Sequence, residues 1–328
     1  MEFHVKRLSS IGKAVILLAL AGSAAPAYAQ GVTLRYKWTK GEARTYRMTT
    51  QTDSVITGMP GGAGTMTMAQ TMTQVLKLTA EEVAPDGTAT LRQTFQSVRM
   101  ESNGPMGKVV FDSASFENGD SPMVQSMRQV LGAMIGESVL IEMAADGTVR
   151  KVDGASRIAD KITRVIAADP AAGAAGQGIK SMLSDDALKG TLEQSFPKLP
   201  PGPARTGDTW TSQLAIGNQV MGRILGESTF TLKAPEGTGD APLARIGVHL
   251  ALKQEVVPPP SGPAGMVMTL GDARGEGEIV FDVARGHIQR STMRSDLPSS
   301  VTMNTPEGTV TTMNNKTTTT VTMALVER

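Results

Sequence analysis

The feature of this sequence that most restricts its fold is a two-residue alternation of apolar and polar side chains. The alternation runs through residues 32–116 and again through residues 208–328, and its first example is Leu34, Tyr36 and Trp38. Successive side chains of a β-strand point to opposite faces of a sheet, so this period predicts strands with one buried face. Both segments are therefore predicted to be antiparallel and strand-rich.

Two Asp-Gly pairs predict tight turns between neighbouring strands. Asp86-Gly87 separates strand patterns at residues 75–83 and 88–100, and Asp146-Gly147 separates a second pair within residues 138–152. Asp-Gly between alternating segments is a strong short-range hairpin signal, because glycine accepts the left-handed backbone that these turns require.

The middle of the chain changes to a helical period. Ser121-Pro122 is a favourable helix start, with serine as the cap and proline at the first helical position. An apolar helical face follows at Met123, Met127, Val130, Leu131 and Met134. A second amphipathic helix is predicted over residues 158–166, and one or two short helices within residues 179–192 end at the proline-rich segment 196–203.

These patterns predict an α+β protein with one or two curved antiparallel β-sheets and with the helices of residues 121–192 packed on the concave face. The two strand-rich parts share local sequences: Gly41-Glu42 corresponds to Gly207-Asp208, and residues 108–112 correspond to residues 278–282. A duplicated sheet and two unrelated meanders with similar turns both explain this likeness.

The N-terminus predicts export from the cytoplasm. Basic residues precede the apolar run of residues 14–21, and Ala27-Tyr28-Ala29 is a small-x-small signal-peptidase site. We expect residues 1–29 to be a signal peptide cleaved after Ala29 and the mature protein to be periplasmic or secreted, without a membrane anchor. The rest divides into a β-rich half (30–119), a helical section with a β-hairpin (120–195) and a second β-rich half (196–328).

Composition narrows the classes of partner. Residues 1–29 contain three of the 32 basic and one of the 31 acidic residues, so the remainder carries a formal charge of −1. A nearly neutral chain creates no field that would attract nucleic acid or an anionic membrane. The chain has no cysteine, so no disulfide supports the fold, and its 20 methionines outnumber its twelve aromatic residues.

Methionine supplies the candidate binding residues. Met66 and Met68, with Met72, share one predicted strand face, and Met266 and Met268 share another. Thioethers adapt to irregular apolar ligands and also bind Cu(I), while ordinary core packing explains the same residues. Without histidine between the pairs we expect no metal and no cofactor. The residues predicted to line an apolar ligand cavity are Met66, Met68, Met72, Met123, Met127, Met134, Met266 and Met268.

The sequence shows no established catalytic constellation, and we expect the protein not to be an enzyme. His249 and His287 are the histidines that follow the signal segment, and neither has a neighbour at metal-ligand spacing. His249 is predicted to lie on the surface. If the chain were an enzyme, the carboxylates Glu276, Glu278 and Asp282 would share a strand side and raise one another's pKa. A solvated strand face explains the same spacing.

The turns resemble those of an uncharacterised exported bacterial family that is known only as a domain of unknown function. The resemblance rests on Gly41-Glu42, on residues 199–210, on Asp146-Gly147 before residues 152–154, and on residues 275–282. It implies no catalytic residues. The order of long strands and mid-chain helices also resembles, more distantly, the half-barrel of periplasmic lipoprotein carriers.

Two functions fit these observations. The first is an exported protein that binds or carries an apolar ligand, such as a lipid, between sheet and helices. The alternative is a cell-envelope interaction protein with a filled core. Its threonine-rich strands, residues 301–326, would offer a polar face and a strand edge to an envelope protein.

Overall fold

The computed structural model describes residues 31–59, 64–105, 107–115, 122–168, 184–218, 222–237, 243–255, 266–304 and 310–327. The predicted signal peptide lies outside these ranges. The described strands are β1 (Ala43–Thr57), β2 (Met66–Val83), β3 (Ala89–Gly104), β4 (Gly107–Asp112), β5 (Ser138–Met143), β6 (Val149–Asp153), β7 (Thr209–Asn218), β8 (Gly222–Glu236), β9 (Leu243–Glu255), β10 (Met266–Leu270), β11 (Ala273–Asp282), β12 (His287–Asn304) and β13 (Val310–Glu327). The described helices are α1 (Pro122–Gly132), α2 (Ala155–Ala168) and α3 (Asp185–Ser195).

All of these strands belong to one curved antiparallel sheet. Its order is β6-β5-β3-β2-β1-β13-β12-β11-β9-β8-β7, with β4 added beside β3 and β10 beside β12. Most neighbours in this order are close in sequence, whereas β6 and β7 lie at its two ends. The two strand-rich parts of the chain join where β1 pairs with β13. The prediction of a curved antiparallel sheet is confirmed, and there is one sheet rather than two.

Both Asp-Gly turns form as predicted, and they share one geometry. The Asp86 carboxylate accepts the Thr88 backbone N–H at 2.9 Å between β2 and β3. The Asp146 carboxylate accepts the Thr148 N–H at the same distance between β5 and β6. Gly147 has a φ of 88°, the left-handed region that favours glycine.

The two Gly-acid turns that suggested a duplication are also equivalent locally. The Gly41 N–H donates to the Ala80 carbonyl, and the Ala80 N–H donates to the backbone carbonyl of Glu42. In the second turn the Gly207 N–H donates to the Leu232 carbonyl, and the Leu232 N–H donates to the backbone carbonyl of Asp208. The similar sequences at residues 108–112 and 278–282 do not occupy equivalent places in the sheet. Residues 278–282 belong to β11 inside the main strand order, whereas residues 108–112 belong to β4, which lies off it.

The predicted first strand is wrong as a strand. Leu34, Tyr36 and Trp38 are buried in alternation, as expected, but residues 33–39 form no ladder with a neighbour. Instead the extended segment bonds to separate loops: Tyr36 N–H donates to the Ala145 carbonyl and Lys37 N–H to the Gly286 carbonyl. The apolar alternation predicted correctly which side chains are buried. Pairing into a ladder also requires a neighbouring strand, and the fold places loops beside this segment instead.

The helices begin and end close to their predicted positions. α1 starts at Pro122, α3 ends at Ser195 before the prolines, and Ser184 caps α3 by accepting the Ala187 N–H at 3.1 Å. The predicted packing on the concave face is not confirmed: α1 contacts β4, and α3 contacts β6 and β7, the two strands at the ends of the sheet order. In the described part of the chain, no helix has the length and apolar character needed to cross a membrane.

Candidate functional site

A cavity of about 850 Å³ lies against one face of the sheet, which we call the inner face. Its floor is formed by β1, β13, β12, β11, β9, β8 and β7, and its cover by the end of α3 and residues 196–201. The apolar side chains that line it are Met48, Phe196, Leu199, Trp210, Phe230, Val248, Leu250, Leu252, Ile279, Met293, Leu297, Val321 and Met323. Its hydroxyl side chains include Thr50, Ser212, Ser228, Ser291, Ser295 and Thr319.

An aromatic cluster fills the end of the sheet next to the cavity. The Tyr36 ring lies edge-on to Phe281 with a centroid distance of 5.5 Å and to Phe196 at 6.1 Å. The Tyr46 ring contacts Phe196 from the other side at 6.0 Å. All four rings are buried, so this end is closed by packed side chains.

The cover is held to the rest of the protein by hydrogen bonds to its backbone. Leu199 N–H donates to the Asp146 carbonyl at 2.7 Å, and the Tyr36 hydroxyl donates to the Pro197 carbonyl at 3.2 Å. Burial, with smaller effects from Tyr46 and Asp146, raises the pKa of Tyr36 well above its ordinary value, so the phenol remains a donor.

Trp210 connects the cover to the sheet. Its indole Nε1–H donates to the Lys198 carbonyl at 2.9 Å, and its ring stacks on Phe230 at 5.6 Å. A ligand that enters the cavity would therefore contact an indole ring directly.

Glycine leaves room in the floor. Gly277 lies on β11 between Met293 of β12 and Val248 of β9. A Cβ atom at Gly277 would lie 2.4 Å from the Thr292 carbonyl oxygen and 2.8 Å from the Met293 sulfur, so only glycine fits. The Met293 side chain occupies the space that a larger residue would fill.

The methionines predicted as ligand-binding residues are placed in several environments. Met66, Met68 and Met72 lie on the inner face of β2, because Met72 pairs with the cavity residue Thr50. Met268, on β10, pairs with Val301 of β12, which is also an inner-face position. The structure thus brings the two strand groups onto one face, beyond the described cavity.

The remaining predicted methionines do not join them at the cavity. Met134 is buried in the core after α1. Met123, Met127 and Met266 lie in α1 and β10, and their side chains are outside the described part of the chain. Ligand binding by the eight predicted residues stays a prediction.

Among the described residues, the methionines that line the cavity are Met48, Met293 and Met323, which the sequence patterns did not single out. Met48 pairs with Met323, and Met293 lies one inner-face row away on β12. Their alternation with polar neighbours indicated a buried face, but their proximity depends on pairing between distant strands.

The carboxylates considered for catalysis are engaged in ion pairs and turns. The Glu278 carboxylate accepts a hydrogen bond from the Arg245 guanidinium at 2.7 Å. This hydrogen bond lowers the pKa of Glu278, whereas neighbouring like charges were expected to raise it. Glu276 is 83% exposed and lies 4.0 Å from the exposed ring of His249, which confirms His249 as a surface residue. Asp282 accepts the Arg285 N–H in the turn after β11.

Most of the threonine-rich strands do not form the strand edge expected of an envelope interaction protein. β13 pairs with β1 on one side and β12 on the other, while β12 pairs with β13 and then with β11 or β10. The backbone groups of residues 314–324 are therefore used on both sides within the sheet, whereas residues 310–313 pair with β12 alone.

The chain was compared with known proteins. Among solved structures, one titled "Lipid-protein interactions in lipovitellin" has a TM-score of 0.41 and 9% identity over 89% of this chain and 26% of that one. DynF from Micromonospora chersina has a TM-score of 0.19 and 8% identity, covering 89% and 86% of the two chains. OccAB4 of Acinetobacter baumannii has a TM-score of 0.22 and 6% identity, covering 88% and 99%.

These TM-scores are below 0.5 and establish no shared fold, and this chain spans about a quarter of the lipovitellin chain. The search of curated proteins found no match. The resemblance to a family of unknown function is confirmed over part of the chain: residues 86–239, from the turn before β3 to just beyond β8, match the model described as "Family of unknown function (DUF6263)".

Proposed function

We propose that this protein is exported and binds an apolar small molecule in the cavity between the inner face and its cover. The observation that carries the proposal is the cavity of about 850 Å³ with its predominantly apolar lining. Ligand sites are typically roughly 300–1,000 Å³ in volume and combine many apolar side chains with a few polar groups. A cavity of this size also argues against the alternative of a filled core.

A dye-binding experiment tests the binding proposal. The probe is 1,6-diphenylhexatriene, an uncharged apolar dye whose fluorescence rises in an apolar environment. Leu250→Trp would place a large side chain in the cavity, and Ala251→Trp would place the same side chain on the opposite, exposed face of β9. We expect the parent and Ala251→Trp to bind the dye alike and Leu250→Trp to bind at least about tenfold more weakly. Equal binding by both variants, with melting curves that show both folded, would contradict the proposal.

Export is supported by the basic, apolar and small-x-small pattern of residues 1–29. N-terminal sequencing of protein recovered from the extracytoplasmic fraction is expected to start at Gln30. Recovery of the protein with residues 1–29 intact from the cytoplasm alone would contradict this part of the proposal.

A further inference from the structure

The inner face carries no charge where it forms the cavity floor. Three successive rows cross β1, β13, β12, β11 and β9, and strand pairing aligns every position in them. The rows are Met48-Met323-Ser291-Ile279-Ile246, Thr50-Val321-Met293-Gly277-Val248 and Thr52-Thr319-Ser295-Gly275-Leu250. None of these fifteen positions is occupied by a charged residue.

The opposite face of the same strands is charged. Its interleaved rows are Arg47-Ala324-Arg290-Val280-Arg245, Thr49-Thr322-Thr292-Glu278-Gly247 and Gln51-Thr320-Arg294-Glu276-His249. Six of those fifteen positions are Arg or Glu. Charge is thus absent from these three rows of the inner face, whereas the opposite face of the same strands is rich in it. A ligand with a charged group against this floor would lose its hydration without gaining a counter-ion, which is costly.

Hydroxyl groups concentrate away from the aromatic cluster. Thr52, Thr319 and Ser295 form the third row on three adjacent strands, and the Ser54 and Thr317 hydroxyls of the next row lie 3.0 Å apart. We call these five residues the hydroxyl patch. From Met48 to Ser54 the strand rises about 20 Å at roughly 3.4 Å per residue. The inner face therefore passes from apolar side chains beside the closed end to uncharged donors and acceptors, of which Ser295 and Thr319 line the cavity.

Within the described part of the chain, the charged residues that line the cavity belong to its cover and the adjoining turn. Lys198 is exposed, Glu193 is half-buried, and the Asp146 carboxylate already accepts the Thr148 N–H in its turn. None of the three lies on the floor.

From this arrangement, and resting on the proposed function, we propose that the ligand is an uncharged amphiphile. Its hydrocarbon chain would lie on the Met48, Met293 and Val248 part of the floor. Its ester or hydroxyl oxygens would bond with the hydroxyl patch. Glycerol esters of fatty acids have this chemistry, whereas free fatty acids carry a carboxylate at neutral pH.

The test compares two probes with the same acyl chain: 1-monopalmitoylglycerol, which is uncharged, and palmitate, which is an anion. The full chain carrying Trp38→Phe is used, so that Trp210 is its single tryptophan and its fluorescence reports cavity occupancy. We expect the glycerol ester to bind at least about tenfold more tightly than palmitate, each below its critical micelle concentration.

A charge placed in the patch should reverse this preference. Thr319→Lys is expected to weaken ester binding and strengthen palmitate binding, each by about tenfold or more. Thr322→Lys, on the exposed face of the same strand, is expected to leave both affinities unchanged. Ser295→Lys serves as a second variant if Thr319→Lys does not fold.

Each outcome has a distinct meaning. Equal or tighter binding of palmitate by the Trp38→Phe protein overturns the inference and leaves the proposed function standing. Failure of the glycerol ester to bind while diphenylhexatriene still binds also overturns it. Failure of all three probes overturns the proposed function and the inference with it.

Discussion

The Arg44 guanidinium carbon lies 3.8 Å from the centroid of the Trp38 ring, and the Arg44 side chain is only 2% exposed. Arg44 also donates to the Glu42 carboxylate at 2.8 Å and to the carbonyls of Lys37 and Gly286. This buried cation thus connects β1 to the extended segment that precedes it and to the turn before β12.

We expect Arg44→Ala to lower the free energy of unfolding by about 3–5 kcal/mol, because it removes a buried donor and leaves the half-buried Glu42 carboxylate and two carbonyls without their partner. Arg44→Lys keeps the charge but loses the planar group that stacks on Trp38 and donates in several directions, so it should recover part of the loss. Urea unfolding measures both changes. Arg47→Ala, on the exposed face of the same strand, is the control and should change stability by less than about 0.5 kcal/mol. A loss for Arg44→Ala no larger than that of the control would contradict this role.

Glu42 should make stability depend on acid pH. Burial alone would raise the pKa of this carboxyl, but the hydrogen bond and charge of Arg44 outweigh it, and the pKa lies below its ordinary value of 4.5. The ionised group therefore stabilises the fold above the unfolded-state pKa, and this contribution is lost as pH falls through the lower folded-state pKa.

Urea unfolding of the parent and Glu42→Gln at pH 7 and pH 3 tests this linkage. We expect the parent to lose more stability between the two pH values than Glu42→Gln does. Glu276→Gln, which changes a carboxylate that is 83% exposed, should retain the pH dependence of the parent. Identical pH dependence in the parent and Glu42→Gln would show that Glu42 is not linked to folding.

Gly147 and Gly41 separate backbone strain from packing. Both have positive φ, at 88° and 82°, so alanine at either position should cost about 1–2 kcal/mol for the left-handed backbone. A Cβ at Gly147 would also lie 2.7 Å from the Tyr36 ring and 2.8 Å from the Pro197 carbonyl oxygen, whereas nothing lies within 4 Å at Gly41. Thermal or urea unfolding should show Gly147→Ala less stable than Gly41→Ala by roughly a further 1–3 kcal/mol. Equal losses would mean that the contact with the cover is not tightly packed.

Two other glycines should respond to alanine in opposite directions. Gly190 lies within α3 with nothing within 4 Å of a Cβ, so Gly190→Ala should stabilise the protein by about 0.5–1 kcal/mol through helix propensity. Gly277→Ala should destabilise it by roughly 1–3 kcal/mol because of the close Thr292 oxygen and Met293 sulfur. Differential scanning calorimetry gives both signs, and stabilisation by Gly277→Ala would contradict the tight floor described above.

Local patterns in the sequence determined the tight turns, the helix starts and which side chains are buried. The Asp86-Gly87 and Asp146-Gly147 turns, the start of α1 at Pro122 and the alternating burial of Leu34, Tyr36 and Trp38 follow from the preferences of a few adjacent residues. Such preferences act within one turn or one strand, so they can be read without knowledge of the partner.

Tertiary structure alone decided which strands are neighbours, and therefore where the cavity lies. The pairing of Met48 with Met323 joins opposite ends of the chain, and Met293 comes beside them only because β12 follows β13 in the sheet. A two-residue period assigns a side chain to a face but not to a neighbour, so the sequence indicated methionine-rich faces without locating the cavity among them. The same limit applies to residues 33–39. The sequence predicted which of their side chains are buried, but their hydrogen-bond partners come from loops at the closed end of the sheet.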